Sequence, residues 1–409
     1  KVEIVGDVAD KGELIARMAD KIRTNDPANT KTIERYLLLI DDLPGIKAQS
    51  LIRHSETPGT GNLVISIKED KFEGSASVDN RGSKFLGPYR GTVVGAANSL
   101  LGYHDRTTIR GIMTSQTDEL RFADIVHEEQ VGSEGMRLNG RFAITNTSPG
   151  GRISGLDIQG DSKLLKLEGL YPVLRGRQMN FNLTGGLFVL NSKSDVSGLQ
   201  TAEDRVRYLH AGGHFDFVDE LGGVSQFDLE VAQGIKTLNS TNDGIGRSRV
   251  NGEQDFLRAG ITATRIQYLW SNLTLMGAVS GQASPDALLS SEEFAIGGGD
   301  FGRAYDAGEV TGDSGLAGVL ELRYGGSVES AIFESYQAYS FYDLGKVYNK
   351  SPVVGESASE SLASAGLGVR FNIKKDISGY IEVASPLTHT VNSENDQGSR
   401  VFFNLVKRL

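Results

Sequence analysis

Arg303 and Asp343 are the two residues of this 409-residue chain whose type and setting promise the most chemistry. Arg303 stands in a glycine-rich stretch, Gly297 to Gly315, with Gly302 before it and Phe301 and Tyr305 beside it. Asp343 lies further on, in Phe341-Tyr342-Asp343-Leu344-Gly345. An alternating strand puts Asp343, Phe341 and Gly345 on one face and Tyr342 and Leu344 on the other. A guanidinium is a planar fork of donors, and a carboxylate is its matching pair of acceptors. The chemistry on offer is recognition: a loop cation received by a strand carboxylate inside a closed sheet. The same glycines match neither nucleotide-binding fingerprint, and no helix pattern follows them.

Other reactive types are scattered. The histidines stand at 54, 104, 127, 210, 214 and 389. His210 and His214 have helical spacing, but their setting reads as strand, where they share a face yet lie too far apart for an easy chelate. No serine–histidine–acid set can be named from spacing. The pairs Glu128-Glu129 and Glu292-Glu293 are expected to face solvent. Cysteine is absent, which removes disulfides and thiolate metal sites. No catalytic residue, metal ligand or cofactor is therefore assigned. A net charge of −10 argues against nonspecific nucleic-acid binding.

The elements that must position Arg303 and Asp343 fall into two textures. Residues 1–70 read as strand, helix, helix, strand, strand. Lys1 to Val5 form the first strand. Leu14, Ile15, Met18 and Ile22 make an amphipathic stripe within Lys11–Thr24. Asp26-Pro27 breaks it. Asn29 or Thr30 caps a second helix that buries Ile33, Tyr36, Leu37 and Ile40, and Leu43-Pro44-Gly45 ends it. Strands over 46–54 and 62–69 follow, joined by Thr57-Pro58-Gly59-Thr60-Gly61. This is a small α+β domain.

Residues 71–409 alternate. The pattern predicts about sixteen strands: 72–79, 89–98, 106–116, 120–131, 137–146, 163–172, 179–190, 205–218, 224–235, 255–269, 273–283, 316–325, 337–348, 361–373, 377–387 and 400–409. No apolar run approaches the roughly 20 residues of a membrane helix, whereas barrel strands need only about 9–11 alternating residues. Backbone in hydrocarbon must be paired, so a sheet there has to close. The apolar parity then faces lipid, and Glu321, Arg323, Asp343, Arg370 and Glu382 face inward. The expected fold is mainly β, a 16-stranded antiparallel transmembrane barrel behind the α+β domain. A large soluble β-sandwich would also alternate. With an even strand count both chain ends lie on one side, and the 284–315 segment becomes the sixth outer loop.

The run Gly302-Arg303-Ala304-Tyr305-Asp306, with Gly312-Asp313-Ser314-Gly315 and Phe341-Tyr342-Asp343-Leu344-Gly345, resembles the two motifs of the outer-membrane insertase and translocator superfamily. Within it the chain is most similar to the TpsB transporters of two-partner secretion, the haemolysin and filamentous-haemagglutinin exporters. Ile33 to Gly45 resembles the POTRA domain nearest the barrel. Tyr171-Pro172-Val173-Leu174-Arg175-Gly176-Arg177 resembles a mid-barrel element of the same family. The resemblance implies that the sixth loop enters the pore and that Arg303, with Gly302 and Tyr305, meets Asp343 and Gly345 on the barrel wall. The usual glycine after the arginine is Ala304 here, so a slightly different tip backbone is expected.

The resemblance further implies a bacterial outer-membrane protein with its POTRA domain in the periplasm. It implies export of one large, unfolded β-helical partner of TpsA type, recognised by POTRA, by a monomer that uses no nucleotide. A signal peptide and another POTRA domain are expected upstream of Lys1. A barrel-assembly insertase is the alternative, and a passive porin is disfavoured by the POTRA-like segment.

Overall fold

The computed structural model describes residues 1–6, 13–24, 27, 29–56, 60–240, 246–353, 355–374 and 376–409. The expected helix start at Lys11, the break at Asp26 and the Thr57-Pro58-Gly59 turn lie outside the described residues.

The first part of the chain folds as β1 (Val2–Val5), α1 (Leu14–Arg23), α2 (Thr30–Asp41), β2 (Ile46–His54) and β3 (Gly61–Glu69). Its sheet has the order β1-β3-β2, with β1 parallel and β2 antiparallel to β3. A parallel neighbour requires a crossover, and the two helices supply it. Leu14, Ile15, Met18 and Ile22 of α1 pack with Tyr36, Leu39 and Ile40 of α2 on Leu63, Ile65 and Ile67 of β3. Asn29 caps α2 by accepting from the Lys31 N–H at 2.9 Å. Ile33 and Leu37, expected in the core, are only partly buried, because the buried stripe of α2 centres on Leu39.

The sixteen strands of the barrel begin with β4 (Phe72–Asp79), β5 (Arg90–Asn98), β6 (Arg106–Thr114), β7 (Leu120–Val131) and β8 (Met136–Thr147). They continue through β9 (Ile158–Arg175), β10 (Met179–Val196), β11 (Leu199–Val218), β12 (Gly223–Gly234), β13 (Leu257–Trp270) and β14 (Leu273–Ala283). A small hairpin, β15 (Phe294–Ile296) with β16 (Val310–Gly312), interrupts the series. The barrel resumes with β17 (Ser314–Ser327), β18 (Phe333–Tyr348), β19 (Ser359–Ile373), β20 (Ile377–Pro386) and β21 (Arg400–Arg408). Every barrel strand pairs antiparallel with its neighbour, and β21 closes on β4 from Asn404↔Asp79 to Arg408↔Ser75. Closure separates this fold from a sandwich, which keeps two sheets.

The two faces sort as alternation requires. Leu320, Leu322, Tyr342, Leu344, Leu367, Val369 and Ile381 are exposed on the outside, whereas Glu321, Asp343, Ser364 and Glu382 are buried inside. Such a face suits hydrocarbon and not water. Phe72, Tyr171, Tyr268, Trp270 and Tyr324 are exposed near the end that carries the α+β part, where aromatic girdles meet the membrane–water boundary. No described helix is long and apolar enough to cross a membrane.

Several strand bounds change, β18 among them, which starts at Phe333 and not at 337. Strands β9, β10 and β11 run well past the predicted 163–172, 179–190 and 205–218. Their far ends, such as Gly160-Asp161-Ser162 and Ser192-Lys193-Ser194, lack apolar alternation but stay in register with one another. Pairing continues where lipid no longer selects the side chains. The strand after the long connection starts at Ser314 instead of 316, so the intervening segment is 284–313.

Candidate functional site

Residues 284–313 join β14 to β17 at the end of the barrel away from the α+β part, and fold back into it. The β15–β16 hairpin forms the neck and 297–309 the tip. Ile296, Ala304, Tyr305 and Val310 from this loop pack with Ala317, Tyr339, Phe341, Val347, Leu362 and Phe402 from the wall. Gly302 has φ +84, and a Cβ there would lie 2.7 Å from the Leu362 side chain. Gly345 lets the loop touch the wall: a Cβ there would lie 2.6 Å from Ile296 Cδ1 and 3.2 Å from Ala317 Cβ. Ala304 takes no positive φ, so its methyl adds no strain and is fully buried.

Arg303 and Asp343 meet inside the barrel. The Arg303 backbone N–H donates to Asp343 Oδ2 at 2.9 Å, its Nε to Oδ2 at 3.2 Å and its Nη2 to Oδ1 at 3.0 Å. The Ser364 hydroxyl donates to the same Oδ2 at 3.2 Å. The guanidinium carbon sits 3.4 Å from the centre of the Phe341 ring. Tyr305 anchors the tip laterally: its hydroxyl shares a hydrogen bond with Thr388 Oγ1 at 2.8 Å and accepts from the Thr388 N–H at 3.2 Å. All five residues singled out in the sequence, Gly302, Arg303, Tyr305, Asp343 and Gly345, thus fall within one packed centre.

That centre is larger than a pair. Arg303 Nη1 also donates to Glu321 and lies 3.7 Å from Glu382 Oε2. Glu321 further accepts from Arg323 Nε at 2.6 Å and from Arg370 Nη1 at 2.8 Å. Glu382 pairs with Arg81 Nη2, and Arg81 Nη1 donates to the Arg303 carbonyl at 2.7 Å. Tyr339 donates to Glu382 at 2.9 Å. Four guanidiniums therefore meet three carboxylates, and Asp343, Glu321 and Glu382 are at most 2% exposed. A solvated pair would contribute ~1 kcal/mol or less. Here, removing one partner strands a buried charge. The inward parity of Glu321, Arg370 and Glu382 was visible in the sequence. Arg81 and Arg400 were not singled out: they flank turns, and only folding brings Arg81 to Glu382 and Arg400 to Asp306.

Other sequence candidates go elsewhere. Glu292, expected in solvent, is buried and lies 3.2 Å from Arg258, because the loop turns inward. The Glu293 side chain lies 3.2 Å from Arg249 and is also largely covered. His210 lies between Glu168 and Glu230 at 3.6 Å from each, whereas His214 pairs with Asp228 at 2.6 Å. Among the described residues no group of three or more histidine and carboxylate side chains could hold a metal ion.

The Tyr171–Arg177 element forms a junction. Pro172 lies within β9 beside a register shift, and the turn follows at 176–178, past the predicted strand end at 172. Arg175 makes a two-pronged pair with Asp42 at 2.7 Å on each prong. The Arg177 N–H donates to Glu34 at 2.7 Å, and Arg35 donates to the Pro172 carbonyl at 3.0 Å. The neighbouring turn supplies Glu134, which accepts from Tyr36 at 3.0 Å and pairs with Lys21 at 3.0 Å. Helices α1 and α2 are thus fastened to two barrel turns on the near side.

A closed sixteen-strand barrel with an apolar belt, and a long loop pinned inside it by a buried arginine, defines a class: membrane transport barrels whose lumen is occupied by their own chain. Residues 59–371 match the family model of haemolysin secretion/activation proteins ShlB/FhaC/HecB. The chain belongs to that family and is an outer-membrane β-barrel transporter of two-partner secretion. The heme/hemopexin transporter protein HuxB of Haemophilus influenzae is 24% identical over 408 residues, 97% of this chain and 70% of that protein. A second HuxB, from another strain, is 24% identical over 368 residues, 88% of this chain and 65% of that one. Among solved structures, CdiB from Escherichia coli superposes with a TM-score of 0.81 at 18% identity, covering 100% of this chain and 76% of that one. BamA from Haemophilus ducreyi gives 0.64 at 11% identity, covering 100% and 84%. At such identities the structural likeness is one of fold.

Proposed function

We propose that this transporter exports one large partner protein, unfolded and β-helical once outside, through the lumen that the sixth loop occupies. Residues 1–70 act as a POTRA domain on the periplasmic side, and residues 71–409 as the barrel. The observation that carries this reading is the buried centre around Arg303. A passive pore has no need of four guanidiniums and three carboxylates holding a loop across its lumen. A translocator needs a plug that closes the channel when no cargo is present. Beside the loop tip, a cavity of about 620 Å³ runs along the β13–β14 wall past Thr262, Thr264, Met276 and Ser280, and extended cargo widens this space.

The POTRA sheet offers an edge for such cargo. Strand β2 pairs only with β3 among the described residues, and its Leu51 and Ile52 are exposed. Strand addition there takes affinity from main-chain hydrogen bonds and specificity from alternate side chains. The match to haemolysin secretion/activation proteins supports a partner that is a secreted protein. The insertase alternative has less support, since the family match is to secretion proteins. The test is co-expression of the full protein and its partner, comparing the intact transporter with one carrying prolines at alternate positions of β2. Secretion stops in the β2 variants while heat-modifiable migration of the barrel is retained. Undiminished secretion would show that β2 does not receive cargo.

A further inference from the structure

A second arginine–carboxylate centre lies outside the one just described, at the far mouth of the barrel. Arg249 belongs to the connection 235–256 between β12 and β13. Its Nη1 donates to Asp313 Oδ1 at 2.6 Å and to the Leu288 carbonyl at 2.8 Å. The same guanidinium lies 3.2 Å from Glu293 and 3.3 Å from Glu356. Asp313 is fully buried and also accepts from the N–H groups of Leu288 at 2.5 Å and Lys350 at 2.6 Å. Asp313 ends the sixth outer loop, and Lys350 and Glu356 belong to the connection 349–358 between β18 and β19. One guanidinium and one carboxylate therefore bind three separate outer connections.

Neighbouring contacts follow the same three segments. The Glu253 N–H donates to the Ala287 carbonyl at 2.7 Å, and the Ser290 N–H to Ser248 Oγ at 3.1 Å. Asn251 Nδ2 donates to the Ser351 carbonyl at 2.9 Å. Beneath them Phe256, Leu288 and Leu289 are fully buried with Val206 and Tyr208. We propose that Arg249 and Asp313 form an outer clasp, separate from the Arg303 centre, that closes the far mouth by fastening these three connections together. Arg249 is the cation that Asp313, Glu293 and Glu356 share. Without it three carboxylates face one another across the seam, and like charges at that range repel. Arg249 is thus a positioning residue, and parting from Asp313 releases the connections.

The role as an outlet rests on the export reading, whereas closure of the mouth does not. Conductance in planar bilayers without any partner protein reads closure alone. Arg249→Ala and Asp313→Asn each raise the open fraction several-fold, and the double variant raises it no further than the larger single. Heat-modifiable migration checks that each variant is folded. The chain has no cysteine, so Ser248→Cys with Ser290→Cys creates one defined bridge that leaves Arg249 and Asp313 in place. Oxidised protein is expected to export less than a tenth of the partner exported by its reduced form, and reductant restores the rest. An unchanged open fraction in both folded single variants, or full export from completely bridged protein, would overturn the clasp.

Discussion

Asp343 accepts from the backbone N–H of Arg303 as well as from two nitrogens of its side chain. The carboxylate therefore reads the position of the loop main chain and not only the presence of a cation. A lysine at 303 would retain the charge and the main-chain bond. It would lose the fork that reaches Asp343 and Glu321 together.

Arg303→Lys is accordingly expected to be an intermediate variant. Arg303→Ala leaves Asp343 and Glu321 buried without their shared partner, at a cost of about 3–5 kcal/mol. Thermal unfolding in detergent should rank intact protein above Arg303→Lys, and that above Arg303→Ala. Channel conductance should rise in the reverse order. Equal unfolding midpoints would show the centre to be solvated.

Exchanging the charges should not restore the site. In Arg303→Asp with Asp343→Arg, the new aspartate faces Glu321 and Glu382, which lie within reach of the present Arg303. Both single variants impair secretion, and the double recovers little. Recovery to more than about half would mean that the pair acts in isolation, as additivity cycles would then reveal.

Gly345→Ala tests the contact between loop and wall. Its methyl would meet Ile296 Cδ1 at 2.6 Å and Ala317 Cβ at 3.2 Å. Overpacking of this kind costs about 1–3 kcal/mol. Adding Ile296→Ala frees the space and should return part of that stability in a double-mutant cycle. A loss that Ile296→Ala does not relieve would place the clash elsewhere.

Acid should loosen the junction between the α+β part and the barrel. Burial alone would raise the pKa of Glu134. Hydrogen bonds from Lys21 and Tyr36, with the nearby charges of Lys21 and Arg35, outweigh it and hold that carboxyl below its usual range. A group depressed in the folded state contributes stability above its unfolded pKa, about 4.3 for glutamate, and loses it as pH falls through the folded value. Hydrogen exchange of α2 should therefore quicken as pH drops below about 4, after correction for intrinsic rates. Glu134→Gln should flatten that dependence. Arg175→Ala, which removes the two-pronged pair with Asp42, should quicken exchange at neutral pH.

Alternation along the chain determined much of this protein. It marked the sixteen strands, the lipid-facing set, and the inward parity of Glu321, Asp343, Arg370 and Glu382, because a pleated strand fixes which side every second residue takes. Glycine content and motif spacing singled out the loop and its arginine. What lies in a connection carries no such period. Pairing alone carried β9–β11 beyond their apolar stretch, and only the fold turned Glu292 and Glu293 inward from the expected solvent. Only the tertiary fold brought Arg81 to Glu382, Arg249 to Asp313 and Arg175 to Asp42. These partners stand far apart in sequence, and at least one of each pair lies in or beside a connection, so their meeting depends on the path of the chain between strands, which local pattern does not encode.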